Sequence, residues 1–273
     1  MAVGSQQRSD PNFQHAVHLA QSGALGQIEK VNAYVGAPPK PYDLPEETLP
    51  SDLNWDLWLG SLPTPIHYNH ELDPPISLDP EKDEEIWGAW RWYKEMGGGF
   101  TTDWGAHMFD IAQWGLDMDK SGPVHFIPPS VPAKTGLSMK YENGVLVNHK
   151  DWGEGNAVQF IGTEGKIEVS REFLRTFPNK GLAKAELKST DKRVYHSENH
   201  YQDWVDAMKK RTRPVSDVET GHRTASVCNI VNIAYELQRP LQWNPDKEEF
   251  VNDDFANMMR TRAYRGKWNF NNY

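Results

Sequence analysis

This sequence has little cysteine, no long apolar run and no excess of basic charge, and each shortage excludes a class of protein. The single cysteine, Cys228, rules out an intrachain disulfide framework, and the apolar helical pattern around it favours a core position over a nucleophile. No apolar stretch approaches the length that crosses a bilayer, and the first residues lack the basic start and apolar stretch of a signal peptide. We therefore expect neither a membrane span nor a membrane partner.

Basic residues are outnumbered by acidic ones. Lysine and arginine total 29 against 38 aspartates and glutamates, which gives a formal net charge of −9. Because nucleic acids and anionic membranes attract basic surfaces, this balance argues against both as partners. The short basic clusters at 211–213 and 260–265 are mixed in composition and predict a solvated face or a subunit contact. A small neutral substrate or a protein partner is favoured.

Several well-known catalytic motifs are missing too. The chain has no GxGxxG or GxxxxGK[ST] phosphate loop, no GxSxG nucleophile elbow and no HExxH zinc motif. His67 and His70 are close in sequence, but their spacing matches no standard set of metal ligands. We therefore expect no metal site and no dinucleotide fingerprint. The alternative is a metal site with oxygen and nitrogen ligands from Asp103, His107 and Asp110, which belong to the motif described next.

The most informative segment that is present covers residues 97–110, with the sequence GGGFTTDWGAHMFD. A helix that begins near Thr102 would place Asp103, His107 and Asp110 on one face. Histidine changes charge near neutral pH, and a carboxylate one turn away can orient its ring as a general base requires. The three preceding glycines allow a tight turn and a close approach to a ligand. An N-capping Asp103 and a buried histidine on an ordinary helix carry equal weight on spacing alone.

Aromatic residues are abundant for so polar a chain. Eleven tryptophans, ten tyrosines and ten phenylalanines accompany a mean hydropathy of −0.73. Flat rings bury large areas in a core, and they also offer a surface on which the apolar face of a sugar can stack. The composition is compatible with both uses.

The first third of the chain predicts one helix, one strand and a long loop. A proline at the first helical position starts a helix over 10–22, and alternation predicts a strand over 28–35. The stretch 36–85 is rich in proline and acid and ends in a charge run at 79–85. A loop of this length with embedded tryptophans is typical of a functional surface.

The rest of the chain predicts strands in succession and then helices. A helix over 104–116 precedes short runs separated by turn residues, which predict an antiparallel meander of strands at 124–127, 137–141, 145–149, 157–161 and 166–169. Later helices are predicted at 201–210, at 221–237 and after a cap near Asn252 or Asp253. This order favours an α+β fold, with helices packed on one face of a mostly antiparallel sheet.

Three strings resemble one known family. GGGFTTDWGAHMFDIAQW at 97–114, GSQQRS at 4–9 and GHRT at 221–224 resemble the glucose–fructose oxidoreductase / inositol dehydrogenase / MocA (Gfo/Idh/MocA) family. WDLWLG at 55–60 and RPLQWNPDKEEFVNDDFAN at 239–257 are similar to one branch of it, so the resemblance covers nearly the whole chain.

The resemblance implies how the chain is divided. Such proteins usually combine an N-terminal Rossmann domain, which binds NAD or NADP, with a C-terminal α+β domain that has a large open-faced sheet. We expect residues 10–273 to form that C-terminal substrate and oligomerisation domain. Residues 1–9 would be the remnant of the last strand and loop of a Rossmann domain that is otherwise missing.

The resemblance also implies roles for single residues. The family's Asp-x-x-x-His motif falls on Asp103 and His107, so His107 would be the acid/base on a substrate hydroxyl and Asp103 would orient or tune it. The family's Gln-Arg-Ser loop near the nicotinamide matches residues 7–9, which makes Arg8 a candidate cofactor contact. The glycine fingerprint and the catalytic lysine of the family belong to the missing domain.

Further candidates for substrate binding surround this pair. Asp110 is one of them, and four rings would offer stacking platforms, although each ring could equally belong to the core: Trp55, Trp58, Trp92 and Tyr93.

Three functions are compatible with these features. The favoured one is the substrate-binding and acid/base domain of an NAD(P)-dependent oxidoreductase that acts on a sugar, glycoside or cyclitol. Because hydride transfer needs a positioned nicotinamide, we expect this chain alone to bind no cofactor and to be inactive. It would form a homo-oligomer through the open sheet and need a missing or separate Rossmann domain. The alternatives are a non-enzymatic oligomerisation or carbohydrate-binding module and a glycosidase-like enzyme that uses transient oxidation. The compartment stays open: cytoplasmic by default, periplasmic for a full-length parent.

Overall fold

The computed structural model describes residues 1–74, 88–185 and 194–268. The acidic run at 79–85 lies outside these residues. The described part contains seven α-helices and a sheet of nine strands, so the predicted α+β class is confirmed. The helices are α1 (Pro11–Gln21), α2 (Trp55–Leu59), α3 (Phe100–Asp103), α4 (Gly105–Gly115), α5 (His200–Lys210), α6 (Val218–Leu237) and α7 (Asp254–Met258). The strands are β1 (Ile28–Ala33), β2 (His125–Ile127), β3 (Ser138–Lys140), β4 (Leu146–His149), β5 (Val158–Gly162), β6 (Lys166–Val169), β7 (Leu174–Phe177), β8 (Leu241–Asn244) and β9 (Glu249–Phe250).

The sheet is open and mostly antiparallel. Its strand order is β7-β6-β5-β1-β4-β3-β2-β8-β9. Strand β1 lies inside the sheet, parallel to β4 and antiparallel to β5. The predicted uninterrupted meander is therefore wrong at one point, because the first strand of the chain inserts between β4 and β5. The strands on either side of this insertion pair as predicted.

One face of the sheet carries the hydrophobic core. Helices α1, α4 and α6 pack together there, with α4 in the middle and in contact with both neighbours. The strands present fully buried side chains to these helices, among them Val31 of β1 and Phe160 of β5. Gly115 at the end of α4 lies directly against the Phe160 ring, so this helix sits close to the sheet. The central position of α4 makes the helix start that precedes it a rigid place for a functional site.

The opposite face carries a row of hydrogen-bonded polar side chains. Its members are directly paired in the sheet register, one from each of six adjacent strands. Asn148 Nδ2 donates to Asn32 Oδ1 at 3.1 Å, and Asn32 Nδ2 donates to Gln159 Oε1 at 2.7 Å. From β3 to the edge strand β7 the row consists of Ser138, Asn148, Asn32, Gln159, Glu168 and Arg175. Hydrogen bonds link the first five, and Arg175 Nη1 lies 3.9 Å from Glu168 Oε2. We call it the polar row.

Most predicted elements are confirmed in type. The capped start of α1 is one example, since Asp10 Oδ1 accepts a hydrogen bond from Asn12 N at 2.8 Å. Strand β7 was not predicted from the sequence, because Leu174–Phe177 is short and alternates only weakly, and its pairing with β6 defines it. Strands β8 and β9 were missed for the same reason. No described helix is long and apolar enough to cross a membrane.

The first residues are part of the folded unit. Gln6–Ser9, expected to be a loop, forms a 3-10 helix that contacts α1 and α4. Val3 N donates to Ser216 O at 3.0 Å, which ties the start of the chain to the segment before α6.

Candidate functional site

The glycine-rich segment turns the chain sharply into α3. Gly99 has a φ of 67°, and a Cβ at this position would collide with the backbone of Pro38 and Pro39. Gly97 lies equally close to the backbone of Arg91. The glycines were expected to let the chain approach a ligand; in this structure they let it approach its own backbone. They thereby fix the position from which Asp103 and His107 project.

The predicted single helix is interrupted between the two motif residues. Helix α3 ends at Asp103, Trp104 forms its cap, and α4 begins at Gly105. Asp103 accepts an ion-paired hydrogen bond from Arg91 Nη2 at 3.0 Å. The guanidinium of Arg91 also lies 5.5 Å from the Trp92 ring centroid. In the described residues no hydrogen bond joins Asp103 to His107, so Asp103 acts on the imidazole by charge alone.

His107 lies on the first turn of α4 and is half-buried. Its ring packs edge-on against Trp104, with ring centroids 5.8 Å apart. Nδ1 is buried, and no group in the described part of the chain bonds to it. Burial lowers the pKa of His107, the nearby positive charge of Arg171 lowers it further, and Asp110 and Asp103 oppose this shift. The imidazole is therefore neutral at pH 7 and can accept a proton.

Asp110 lies in the core and not on the surface that His107 faces. Its side chain is fully buried, and it accepts hydrogen bonds from Arg8 Nε at 2.7 Å, from Arg8 Nη2 at 2.9 Å and from Thr224 Oγ1 at 2.9 Å. The expectation that all three motif side chains act on one substrate is therefore wrong for Asp110. Its carboxylate joins α4 to α6 and to the first 3-10 helix.

Arg8 is the counterpart of this carboxylate. It is 1% exposed and binds Asp119 as well, from Nη1 at 2.8 Å and from Nη2 at 2.7 Å. Its guanidinium also lies 4.9 Å from the Trp114 ring centroid. Burial opposes the charge of Arg8, but the two carboxylates outweigh it and raise the pKa. With four of its five N–H donors paired and its surface covered, Arg8 has no room to contact a cofactor, contrary to the role that the resemblance implies.

The predicted aromatic platforms divide into two groups. Trp92 stacks on Phe100 with centroids 4.1 Å apart and lies near the start of α3. Tyr93 follows it but is 2% exposed, with Lys40 Nζ 4.9 Å from its ring centroid. Trp55 and Trp58 stack on each other in α2, 4.5 Å apart. Of these four rings, Trp92 is the one whose ring contacts a ring of the segment 97–110 in the described part of the chain.

Two arginines at the site were not identified from the sequence. Arg91 holds Asp103, and Arg171 lies with its guanidinium 4.4 Å from the Trp104 ring centroid. Neither stands in a recognisable motif: Arg91 precedes the glycines within an aromatic run, and Arg171 occupies the turn after β6. Only the fold brings them to His107.

A separate groove of about 1090 Å³ adjoins Gly97 and Gly98. It lies between α6, the prolines near residue 39 and the segment 259–262, and neither Asp103 nor His107 lines it. His67 and His70, the pair considered for metal binding, bond to Leu44 O and to Glu47 respectively. Within the described ranges, no group of three or more histidines, cysteines or carboxylates is arranged to hold a metal ion.

Comparisons with known proteins agree with this architecture. A family model described as "Oxidoreductase family, C-terminal alpha/beta domain", which belongs to the Gfo/Idh/MocA group, matches residues 34–270. A search of curated proteins by sequence finds no match. An NAD-binding protein from Listeria innocua is similar in structure, with a TM-score of 0.52, 14% identity, and coverage of 88% of this chain and 63% of that one.

A second similar structure is the WlbA dehydrogenase from Bordetella pertussis, solved with NADH and UDP-GlcNAcA. Its TM-score is 0.52 at 13% identity, and the match covers 89% of this chain and 63% of that one. At such identities the likeness shows the fold. In both cases this chain spans less than two thirds of the length of the protein that it resembles.

Proposed function

This chain belongs to the Gfo/Idh/MocA oxidoreductases, as a C-terminal alpha/beta domain of that family, and from this membership we propose that it is the substrate-binding and acid/base part of an NAD(P)-dependent dehydrogenase. Its substrate would be a sugar, glycoside or cyclitol that is oxidised at a hydroxyl. The WlbA dehydrogenase, whose structure contains NADH and UDP-GlcNAcA, supports this substrate class.

His107 is the observation that carries the proposal. Its imidazole is neutral because burial lowers its pKa, and it is held at the first turn of a rigid helix. A neutral imidazole of this kind can take the proton from a substrate hydroxyl as the carbon that bears it is oxidised. Asp103 is held in place by Arg91, and its negative charge raises the basicity of His107 without a direct bond.

The cofactor does not fit the described residues of this chain. A nicotinamide cofactor supplies the hydride acceptor in such reactions, and its phosphates need a cradle of backbone N–H groups. The sequence has no GxGxxG or GxxxxGK[ST] phosphate loop, and Arg8, the expected contact, is buried in ion pairs. We therefore propose that the chain alone binds neither NAD nor NADP and that cofactor binding belongs to a Rossmann domain of the same protein or of a partner. Loss of that positioning can remove about 7–11 kcal/mol of barrier reduction, so the chain alone would be inactive.

A reconstitution assay tests the catalytic proposal. The chain is mixed with the separately expressed Rossmann domain of a family relative, and NAD or NADP reduction is followed over a panel of sugars and cyclitols. Reduction is expected only with both parts present, and His107→Asn is expected to abolish it. His196→Asn is the matched control, because that histidine is exposed, with 70% of its side chain accessible.

A binding measurement keeps the proposal testable if the two parts fail to dock. The ring signals of His107 in a histidine-labelled sample are expected to move when the correct sugar is added, and those of His196 are not. If reduction survives in the His107→Asn variant, or if no sugar or cyclitol in the panel moves the His107 signals, the proposal is wrong.

The open face of the sheet favours a second, non-enzymatic role. The helices that pack on the sheet all use its other face, and Ile127 of β2, which pairs with Ser138 at the end of the polar row, is 41% exposed. We propose that a second copy of the chain covers this face. Light scattering should give a mass that is a multiple of 31.2 kDa, and Ile127→Arg should reduce it to the monomer. A monomeric wild-type chain would contradict this role.

A further inference from the structure

In the part of the chain that the structure describes, the guanidinium of Arg171 has unfilled hydrogen-bond donors. It lies in the turn between β6 and β7, where Ser170 N bonds to Phe173 O at 2.9 Å, and its side chain is exposed. Within the described residues its guanidinium forms no ion pair or hydrogen bond. Arg175 on the same hairpin is different, because its Nη1 lies 2.8 Å from Glu154 Oε1. Among the residues that the structure describes, the positive charge of Arg171 therefore has no carboxylate partner and faces solvent.

The guanidinium of Arg171 is nevertheless held in a defined place. It lies over the indole of Trp104, 4.4 Å from the ring centroid. Stacking of this kind is a favourable cation–π contact, and it orders a side chain that would otherwise sample many rotamers. A ligand that binds such a preorganised group avoids part of the entropic cost of ordering it.

Trp104 also brings this charge next to the proposed base. The same indole contacts the His107 ring, with ring centroids 5.8 Å apart. The guanidinium of Arg171 and the imidazole of His107 therefore both contact Trp104, close enough for one small ligand to reach both. The charges that act on His107 are Arg171 from the β6–β7 turn, Asp103 from α3 and Asp110 from its own helix. Asp103 and Asp110 are each ion-paired to an arginine already, whereas Arg171 has no ion pair within the described ranges.

We infer that the substrate of this site carries an anionic group, a carboxylate or a phosphate, and that Arg171 binds this group while His107 faces the hydroxyl. The inference rests on the proposed function and narrows its substrate class from sugars in general to acidic sugar derivatives. The planar fork of a guanidinium matches both kinds of anion with two parallel hydrogen bonds.

An anionic substrate would also change the base. Arg171 disfavours the protonated form of His107, so an anion that neutralises Arg171 raises the pKa of His107. The bound substrate would thereby strengthen the group that removes its proton. A neutral sugar cannot produce this effect.

Titrations of the chain with four probes test the inference: glucose, glucuronate, glucose 6-phosphate and inorganic phosphate. Binding and the pKa of His107 are followed by NMR of a histidine-labelled sample. At least one acidic sugar is expected to bind about tenfold more tightly than glucose or inorganic phosphate, and to raise the pKa of His107. Comparison of glucuronate with glucose 6-phosphate distinguishes the two anions.

Variants of the β6–β7 hairpin supply the controls. Arg171→Gln should remove the advantage of the acidic sugar and the rise in the pKa of His107, while Arg175→Gln, on the same hairpin but paired with Glu154, should keep both. If glucose moves the His107 signals and acidic sugars bind no better, the inference is wrong and the proposed function stands. If inorganic phosphate binds as tightly as the sugars, the inference is also overturned. If none of the three sugars moves the His107 signals, the inference is overturned, and the wider panel of sugars and cyclitols decides the proposed function.

Discussion

Replacing Arg8 by methionine would test what the buried ion pairs contribute to this fold. Methionine is similar in length and apolar, so it can fill the space beside Trp114 without the charge. The substitution removes four hydrogen bonds of 2.7–2.9 Å, two to Asp110 and two to Asp119. It leaves Asp110, whose side chain is fully buried, with Thr224 as its remaining partner.

The expected loss follows from the difference in burial between the two carboxylates. Removing one partner of a buried ion pair leaves an uncompensated charge and costs about 3–5 kcal/mol. Asp119 has 32% of its side chain exposed, so water can replace Arg8 there at little cost. We expect Arg8→Met to reduce the free energy of unfolding by about 3–5 kcal/mol, nearly all of it through Asp110.

A surface pair offers the matched control. Arg239 also binds a carboxylate with two hydrogen bonds, from Nη1 and Nη2 to Asp253 at 2.6 and 2.9 Å, but 44% of the Arg239 side chain is exposed. Arg239→Met should cost less than about 1 kcal/mol, because exposed ion pairs contribute little. Because water can also replace Arg8 at the partly exposed Asp119, the difference between the two losses reports mainly the burial of Asp110.

Urea unfolding followed by tryptophan fluorescence measures both losses. The double variant Arg8→Met/Asp110→Asn should recover about 1–3 kcal/mol of the Arg8→Met loss, because the amide removes the stranded charge. If Arg8→Met costs no more than Arg239→Met, or if the double variant recovers nothing, the account of Asp110 as a charge that depends on Arg8 is refuted.

Three further outcomes are expected. Burial lowers the pKa of His149 from 6.5 to about 4, so the neutral side chain stabilises the fold above pH 6.5, and about 3 kcal/mol of the free energy of unfolding is lost as the pH falls from 6.5 to 4. Unfolding curves at pH 7 and pH 4 should show that the His149→Gln variant lacks this part of the loss. An equal loss in both proteins would contradict this account. Cys228 is 1% exposed with its pKa raised by burial, so a thiol reagent should label it only in urea, and rapid labelling of the folded chain would show the core to be open. Gly99→Ala should reduce the free energy of unfolding by about 1–3 kcal/mol, which is more than the reduction for Gly144→Ala. Both glycines have a positive φ, but of the two only Gly99 lies against the backbone of residues 38–39. Equal losses in urea unfolding would refute this steric argument.

The sequence predicted individual elements well where local signals mark their ends. Helix α1 has a capping aspartate and a proline at its first position, and β4 to β6 are bounded by turns rich in glycine. The insertion of β1 between β4 and β5 was not predictable in this way. The polarity pattern of a strand shows which face is buried, but it does not show which strand will be its neighbour.

In the candidate site, too, local features were predictable from the sequence and long-range contacts were not. The spacing of Asp103 and His107 is a local feature, and the family resemblance located both. Their partners come from elsewhere in the chain: Arg91 is 12 residues from Asp103, and Arg8 is 102 residues from Asp110. Spacing on one helix suggested that Asp110 was part of the site, whereas the long-range ion pair with Arg8 makes it part of the core.

The polar row gives the open face of the sheet a direction. An ionised carboxylate can only accept hydrogen bonds, so Glu168 requires Gln159 to present its amide nitrogen, which it does at 2.8 Å. The oxygen of Gln159 must then face Asn32 and accept from its amide nitrogen. In the same way Asn148 donates to the oxygen of Asn32, and the hydroxyl of Ser138 donates to the oxygen of Asn148. Every donor therefore points toward the β7 edge, where Lys166 and Arg175 hold the pKa of Glu168 below its usual value although burial opposes this. The charge of Glu168 on β6 thus orients the amide dipoles of three adjacent strands, β5, β1 and β4, and a molecule that covers this face meets dipoles that all point the same way.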